Sequence, residues 1–294
     1  MKNIHRYPVT FSLFLVFTLL LASCKKENSA SSPGTRQVKI FLTDGPARFD
    51  AVNIDIMRVE VWTLPDCCRD KRSDDRGDEH EDDHDEDSSE QRSGCGKWDT
   101  LSIRPGVYNL LNLSNGTDTL LATGYTPAGA IRKVRITLGD HNTVVADSVS
   151  YPLYLHSNHH QIIIKPKDDE FENQGRNNLQ LWLDFDAGHS IIKEQDNHFY
   201  LRPSIHLFTP GSTAAIEGRV QPAQANAIVS TISNGDTLVA MPRLDGYFKI
   251  RGIRSATANL FVNATANGYA DTTLNSIQLH PGKETNIGTV TLHQ

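Results

Sequence analysis

The chain of 294 residues has few cysteines, methionines and tryptophans, with only four, three and three of each. It also lacks the signatures that announce a chemistry. There is no Gly-rich loop to cradle a phosphate and no G-x-S-x-G elbow to present a nucleophilic serine. No segment carries the 3.6-residue apolar period of a long amphipathic helix. Basic excess is missing too. The formal charge is −6, and the eleven acids between Asp74 and Glu90, set against Arg76 alone, account for that sign. The remainder is close to neutral, which leaves no cationic surface to grip a nucleic acid.

What is present begins at the N-terminus. Lys2 and Arg6 precede an apolar run over 9–21, too short to span a bilayer, which takes ~20 residues. Leu21-Ala22-Ser23-Cys24 then resembles a bacterial lipobox, where Cys24 is lipidated and the chain is cut just before it. An ordinary cleaved secretory signal is the plainer alternative. The lipobox makes 1–23 a signal peptide and 24–36 a polar tether. Lys25-Lys26-Glu27 lacks the aspartate that resembles an inner-membrane retention signal, so the expected place is the outer membrane, on either of its faces.

From Val38 the apolar period is two: Val38, Ile40 and Leu42 alternate with Lys39, Phe41 and Thr43 before Asp44-Gly45-Pro46 turns the chain. The next strand changes phase, from Val52, Ile54 and Ile56 to Met57, Val59 and Val61, which requires a bulge near Ile56-Met57. Further strands are expected over 130–138, 144–155, 161–165, 179–186 and 199–208. After a linker at Thr209-Pro210-Gly211-Ser212, short strands recur over 216–220, 227–232, 237–241, 247–250, 259–264 and 289–292. The expectation is all-β: two β-sandwich domains, 37–209 and 213–294, the first carrying an acidic insert of about 66–96.

The insert has no apolar residue in its centre to offset the entropy of ordering it, and disorder is expected. Cys67, Cys68 and Cys95 stand at its base, in a compartment that permits disulfides. A bridge from Cys67 or Cys68 to Cys95 would close a loop worth ~3–4 kcal/mol. Trp62 and Trp98 should lie close on neighbouring strands. An in-register hairpin with Leu64 opposite Trp98 would set Cys67, rather than Cys68, across from Cys95. Within the insert, His80-Glu81-Asp82-Asp83-His84 satisfies H-E-x-x-H, the zinc-hydrolase pattern, with Asp85 beside it. That chemistry needs a rigid helix and a dry cavity, whereas these carboxylates repel one another at i,i+4. Loose capture of Ca²⁺ or another divalent cation by His80, Asp82, Asp83, His84 and Asp85 suits them better. The tripeptide Arg76-Gly77-Asp78 matches an integrin-recognition sequence, which a charged loop also generates by chance.

Two stretches resemble known families. Val38-Lys39-Ile40-Phe41-Leu42-Thr43-Asp44-Gly45-Pro46 with Phe49-Asp50-Ala51-Val52-Asn53-Ile54 is similar to the opening of the lipoprotein family of domain of unknown function 4382. Pro127-Ala128-Gly129, Tyr151-Pro152-Leu153, Leu183-Asp184-Phe185-Asp186-Ala187, Ser190-Ile191 and Leu201-Arg202-Pro203 extend the resemblance over about 37–209, and the acidic insert departs from it. The resemblance implies architecture and location, with no established activity. Gly218-Arg219-Val220, Asp245-Gly246-Tyr247-Phe248-Lys249-Ile250, Asn267-Gly268-Tyr269 and Pro281-Gly282 resemble the carboxypeptidase regulatory-like, transthyretin-like sandwich. That implies a structural or binding module without the peptidase.

Three further groups carry side chains able to bind or react. His156, His159 and His160 could capture a transition metal, or simply decorate a hairpin turn. Asp184 and Asp186 share one strand face, ~7 Å apart at Cα, where paired carboxylates do acid–base work or bind Ca²⁺. No second acidic strand is evident beside them, and capping the following turn is the simpler role. The triplets at Asp99, Asp118, Asp147, Asp236 and Asp271 look like an envelope O-glycosylation sequon, or like the way a turn hands over to a strand. The expected function is a non-enzymatic, lipid-anchored binding or scaffold module with an unknown protein or glycan partner and no resident cofactor. The alternatives are a metal-dependent hydrolase using His80/His84 or the Asp184/Asp186 region, and an adhesion or assembly subunit.

Overall fold

The computed structural model describes residues 34–65, 96–155, 160–166 and 178–294. Among the described residues the protein is all-β, built from sheets stacked as sandwiches. The first half contributes β1 (Thr35–Gly45), β2 (Ala51–Pro65), β3 (Lys97–Thr100), β4 (Ser102–Ile103), β5 (Gly106–Asn109), β6 (Thr119–Pro127), β7 (Gly129–Leu138), β8 (Thr143–Ala146), β9 (Val149–Leu155), β10 (Gln161–Ile164), β11 (Asn178–Asp186), β12 (Ile191–Lys193), β13 (Phe199–Leu201) and β14 (Ile205–Phe208). The second half adds β15 (Ala214–Gln221), β16 (Ile228–Ser233), β17 (Asp236–Ala240), β18 (Tyr247–Ile253), β19 (Thr257–Asn263), β20 (Thr272–Gln278) and β21 (Glu284–Thr291).

In the first half, one sheet runs β14-β11-β1-β6-β4 and the other β10-β7-β2-β8-β9-β13-β12, with β3 and β5 also paired to β2. Alternation explains why they stack. Val38, Ile40 and Leu42 of β1 and Val52, Ile54 and Ile56 of β2 are all fully buried. Each such side chain contributes about 1.5–3 kcal/mol of transfer free energy. The second half builds its own core. Ile216 and Phe248 from the sheet β18-β15-β21 meet Val229, Leu260 and Val262 from the sheet β17-β16-β19-β20. Glycine at 218 lets β21 approach, since a Cβ there would stand 2.7 Å from Ile287 and 2.9 Å from the Gly288 carbonyl oxygen.

The phase change in β2 is a bulge, with the register against β7 slipping between Ile56 and Arg58. Met57 is the residue expelled, 48% exposed, rather than a member of the second apolar phase with the buried Val59 and Val61. Trp62 pairs with Trp98 directly, Val61 with Asp99 and Thr63 with Lys97. This corrects the register that set Leu64 opposite Trp98 by two residues. A second slip in β2, between Trp62 and Thr63 against β7, marks the same place as irregular. At this base Arg135 stacks on Trp98, 4.1 Å from the ring centroid, and its Nε donates to Glu60 Oε2 at 2.8 Å. The guanidinium holds the Glu60 carboxyl below its ordinary range.

Two expected strands are each divided. Residues 143–155 form a hairpin, β8 and β9, because Asp147 and Ser148 take φ of 51° and 64°, the left-handed pair of a type I′ turn. The Asp50 carboxylate accepts the Ser148 N–H at 2.8 Å. The span 199–208 changes sheet. β13 pairs with β9 and β12, β14 pairs with β11, and Pro203 lies between them, unable to donate to either ladder. Pro127-Ala128-Gly129 performs the reverse crossing, from β6 of one sheet to β7 of the other. Gly129 sits at φ 154°, and a Cβ there would collide with the Leu64 carbonyl oxygen. Gly129→Ala is therefore expected to lower unfolding free energy by at least about 1–3 kcal/mol, measured by urea denaturation.

Candidate functional site

Parallel pairing of β1 with β11, and antiparallel pairing of β11 with β14, writes two rows across the outer face of the first sheet. Phe41, Trp182 and Phe208 share one register line, and Thr43, Asp184 and His206 the next but one. The aromatic row is stacked: Phe41 to Trp182 at 4.5 Å between centroids, and Trp182 to Phe208 at 6.3 Å. Both rows face the C-terminal sandwich, whose β17 and β18 complete the walls.

The seam between the two halves is built from specific bonds. Asp118 Oδ2 accepts from Trp182 Nε1 at 3.0 Å and from Arg251 Nη1 at 2.7 Å. Arg254 Nη2 donates to the Leu207 carbonyl at 2.8 Å, Asn115 Nδ2 to the Met241 carbonyl at 2.8 Å, and Arg243 Nη2 to Thr117 Oγ1 at 3.1 Å. Bonds of this kind contribute about 0.5–1.5 kcal/mol each, more for the charged ones.

Two concavities flank the seam. One is a polar cavity of about 40 Å³ lined by Thr43, Asp184, Asp186, Asn115, His206 and Arg251 among others. The other is a more apolar groove of about 280 Å³, with Trp182, Phe208, Pro210 and Ala214 in its walls and Arg251, Lys283 and Glu284 at its rim. Burial, reinforced by the charge of Asp186 and opposed in part by Arg251, pushes the Asp184 carboxyl up to about 7. Burial likewise raises Asp44 well above its ordinary value, against the lowering effect of the Ala187 N–H that its Oδ1 accepts at 3.0 Å.

The structure thus brings Asp184 and Asp186 together with an acidic neighbour that the sequence did not reveal. Asp44 lies opposite Phe185, between the Thr43–Asp184 and Gly45–Asp186 pairs. Asp186 does cap the following turn, helical over Ala187–Ser190, its Oδ1 accepting the His189 N–H at 3.1 Å. His160 stands 3.6 Å from Asp140 at the surface. Cys24, Arg76, Gly77, Asp78, Cys67, Cys68, Cys95, His80, Asp82, Asp83, His84, Asp85, His156 and His159 lie outside the described residues. Of the aspartate triplets, those at Asp118, Asp147, Asp236 and Asp271 do hand a turn to β6, β9, β17 and β20, while Asp99 lies within β3. Asn115, Trp182, His206 and Arg251 were not foreseen. The exposed phase of β11 offered a signal for Trp182, since a tryptophan there needs a cover.

The family model described as domain of unknown function (DUF4382) matches residues 35–203, more than half of the chain. The chain belongs to the DUF4382 family. In this DUF4382 protein the matched segment ends just before β14, so the polar and aromatic rows span the matched strands and the first strand beyond them. No curated protein matches the chain in sequence. Among solved structures, a type II cohesin–X-dockerin complex from Acetivibrio cellulolyticus is similar over 27% of this chain and 56% of that one, at 15% identity and a TM-score of 0.23. The minor pilin GBS52 of Streptococcus agalactiae is similar over 87% of this chain and 95% of its own, at 9% identity and 0.22. The major pilin BcpA of Bacillus cereus is similar over 88% and 70%, at 11% identity and 0.20. The chain spans a little over half the length of the first of these, and scores this low carry no argument about function.

In this DUF4382 chain the raised Asp184 links stability to pH. Its folded state holds a proton that the unfolded chain, at an ordinary value of 3.8, releases earlier. Stability from this group is therefore highest at low pH and falls as pH rises from about 4 to about 7. Asp44, Asp186, His206, Lys249 and Arg251 are among the charged or titratable groups around it. With chelator present, the melting midpoint is expected to decline between about pH 4 and about pH 7, and Asp184→Asn to flatten that decline.

Proposed function

We propose that this protein is a lipid-anchored outer-membrane component that works by binding, as a two-module arm holding a protein or glycan partner. The observation that carries the reading is the seam. Asp118 with Arg251, Asn115 with Met241, and Leu207 with Arg254 join the two halves through half-buried bonds, and such a seam suits an arm that presents one composite surface. The groove beside it, about 280 Å³, is close to the lower end of ligand pockets at ~300–1,000 Å³ and combines aromatic walls with a charged rim. In this reading the second module is a carboxypeptidase regulatory-like sandwich acting as spacer and co-wall, and the acidic insert captures divalent cations loosely. The hydrolase alternative at Asp184 and Asp186 has a steric objection. A cavity of about 40 Å³ admits an ion or a few waters, each water needing ~10–15 Å³, and has no room for an organic substrate.

Two measurements test the reading. Cys24→Ala should abolish labelling by a fatty acid and release the chain from the membrane fraction; unchanged attachment would remove the lipobox from the argument. A pull-down from intact envelopes with the lipidated protein should recover a partner that Lys283→Glu, at the groove rim, depletes. Equal recovery by both forms would move the binding surface elsewhere.

A further inference from the structure

The small cavity at the seam has a composition that the binding role above does not use. Asn115 is 8% exposed, with φ 53°, and among the described residues its buried Oδ1 has no hydrogen-bond partner while Nδ2 is held by the Met241 carbonyl. His206 Nδ1, which lines the same cavity, is also buried and unpartnered among the described residues, its Nε2 lying 4.0 Å from Asp236 Oδ1. Asp184 lines the same cavity. Asp186 has one oxygen on the His189 N–H and the other 2.6 Å from His189 Nδ1, but an ionised carboxylate offers about four acceptor positions. The cations in the walls have acids of their own: Arg251 is paired with Asp118, and Lys249 with Glu217 and Glu284. What remains is an enclosure whose uncommitted atoms are oxygens of net negative charge, with one imidazole nitrogen.

An unsatisfied buried acceptor costs about 1–3 kcal/mol, and unsatisfied acceptors beside unneutralised carboxylates cost more. One ligand class answers both. Hard divalent cations take six to eight oxygens, from carboxylates, Asn carbonyls and water. Same-face neighbours on one strand, ~7 Å apart at Cα, can reach a shared ion from two sides. We propose that this cavity is a Ca²⁺-class site, with Asp184, Asp186 and Asn115 Oδ1 as protein donors and water in the remaining positions. The donor set is two carboxylates and an amide. A cavity of about 40 Å³ accommodates an ion with a small number of waters, one of which His206 Nδ1 would hold. Asp184 and Asp186 come from β11, and Asn115 is fastened to the Met241 carbonyl of the second sandwich, so the ion would tighten the seam between the two halves.

The test is calorimetric titration of Ca²⁺ into the full chain at neutral pH, paired with melting in Ca²⁺ and in chelator. The expected result is one saturable site that Asp184→Asn weakens at least about tenfold, with a Ca²⁺-dependent rise in midpoint that the variant loses. Asn115→Ala should weaken the same site without removing a charge, and it keeps the test decisive if the first variant misfolds. Ca²⁺ binding left intact by both substitutions would assign the ions to the acidic insert and overturn the proposal. So would the absence of saturable binding, or a site taken by Zn²⁺ and refused by Ca²⁺.

Discussion

The Asp118 carboxylate governs the arrangement of this molecule. One oxygen, Oδ2, receives the indole N–H of Trp182 from the first sandwich and the guanidinium of Arg251 from the second. Neither donor could be half-buried without an acceptor at small cost, and a single acceptor serving both fixes the distance between the halves. Trp182 in turn carries Phe41 and Phe208 on its faces, so the aromatic row is held in place by the same bond. The groove on one side and the acidic cavity on the other both take their walls from this contact.

Chemical division along the outer face of the first sheet follows from strand alternation. Side chains two residues apart share a face, so the aromatic row at 41, 182 and 208 and the polar row at 43, 184 and 206 must lie side by side. An apolar strip excludes water from its neighbour, and the neighbour contains the Asp184 carboxylate. Its raised protonation equilibrium is the electrostatic signature of that proximity. The first module supplies the charge, and the second, through Asn115's hold on Met241, helps to close the enclosure.

Much of the fold was legible along the chain. The buried phase of β1 and the slip in β2 are one-dimensional signals, written in which residues are apolar and where the period breaks. The handover from turn to strand at Asp118, Asp236 and Asp271 is local in the same way. The rest depends on pairings that local sequence does not encode. Asp44 neighbours Asp184 only because β1 and β11 pair in parallel, across most of the first module. The break at Asp147-Ser148 is hidden because Ala146 and Val149 continue an apolar appearance through the turn. The register at Trp98 differs by two residues from an in-register hairpin count because β2 is irregular next to Trp62, and such a count holds only for regular strands. At the candidate site, the acids of β11 were visible, whereas the amide of Asn115 and the bases that close the enclosure come from loops and from the other sandwich.

The account stands on the two sandwiches behaving as one unit through Asp118. Differential scanning calorimetry of the full chain, unaltered and with Asp118→Asn, addresses this directly. The account predicts a single cooperative endotherm for the unaltered chain that separates into two in the variant, as each hydrophobic core unfolds at its own temperature. Two independent endotherms in the unaltered chain, unmoved by the substitution, would contradict it.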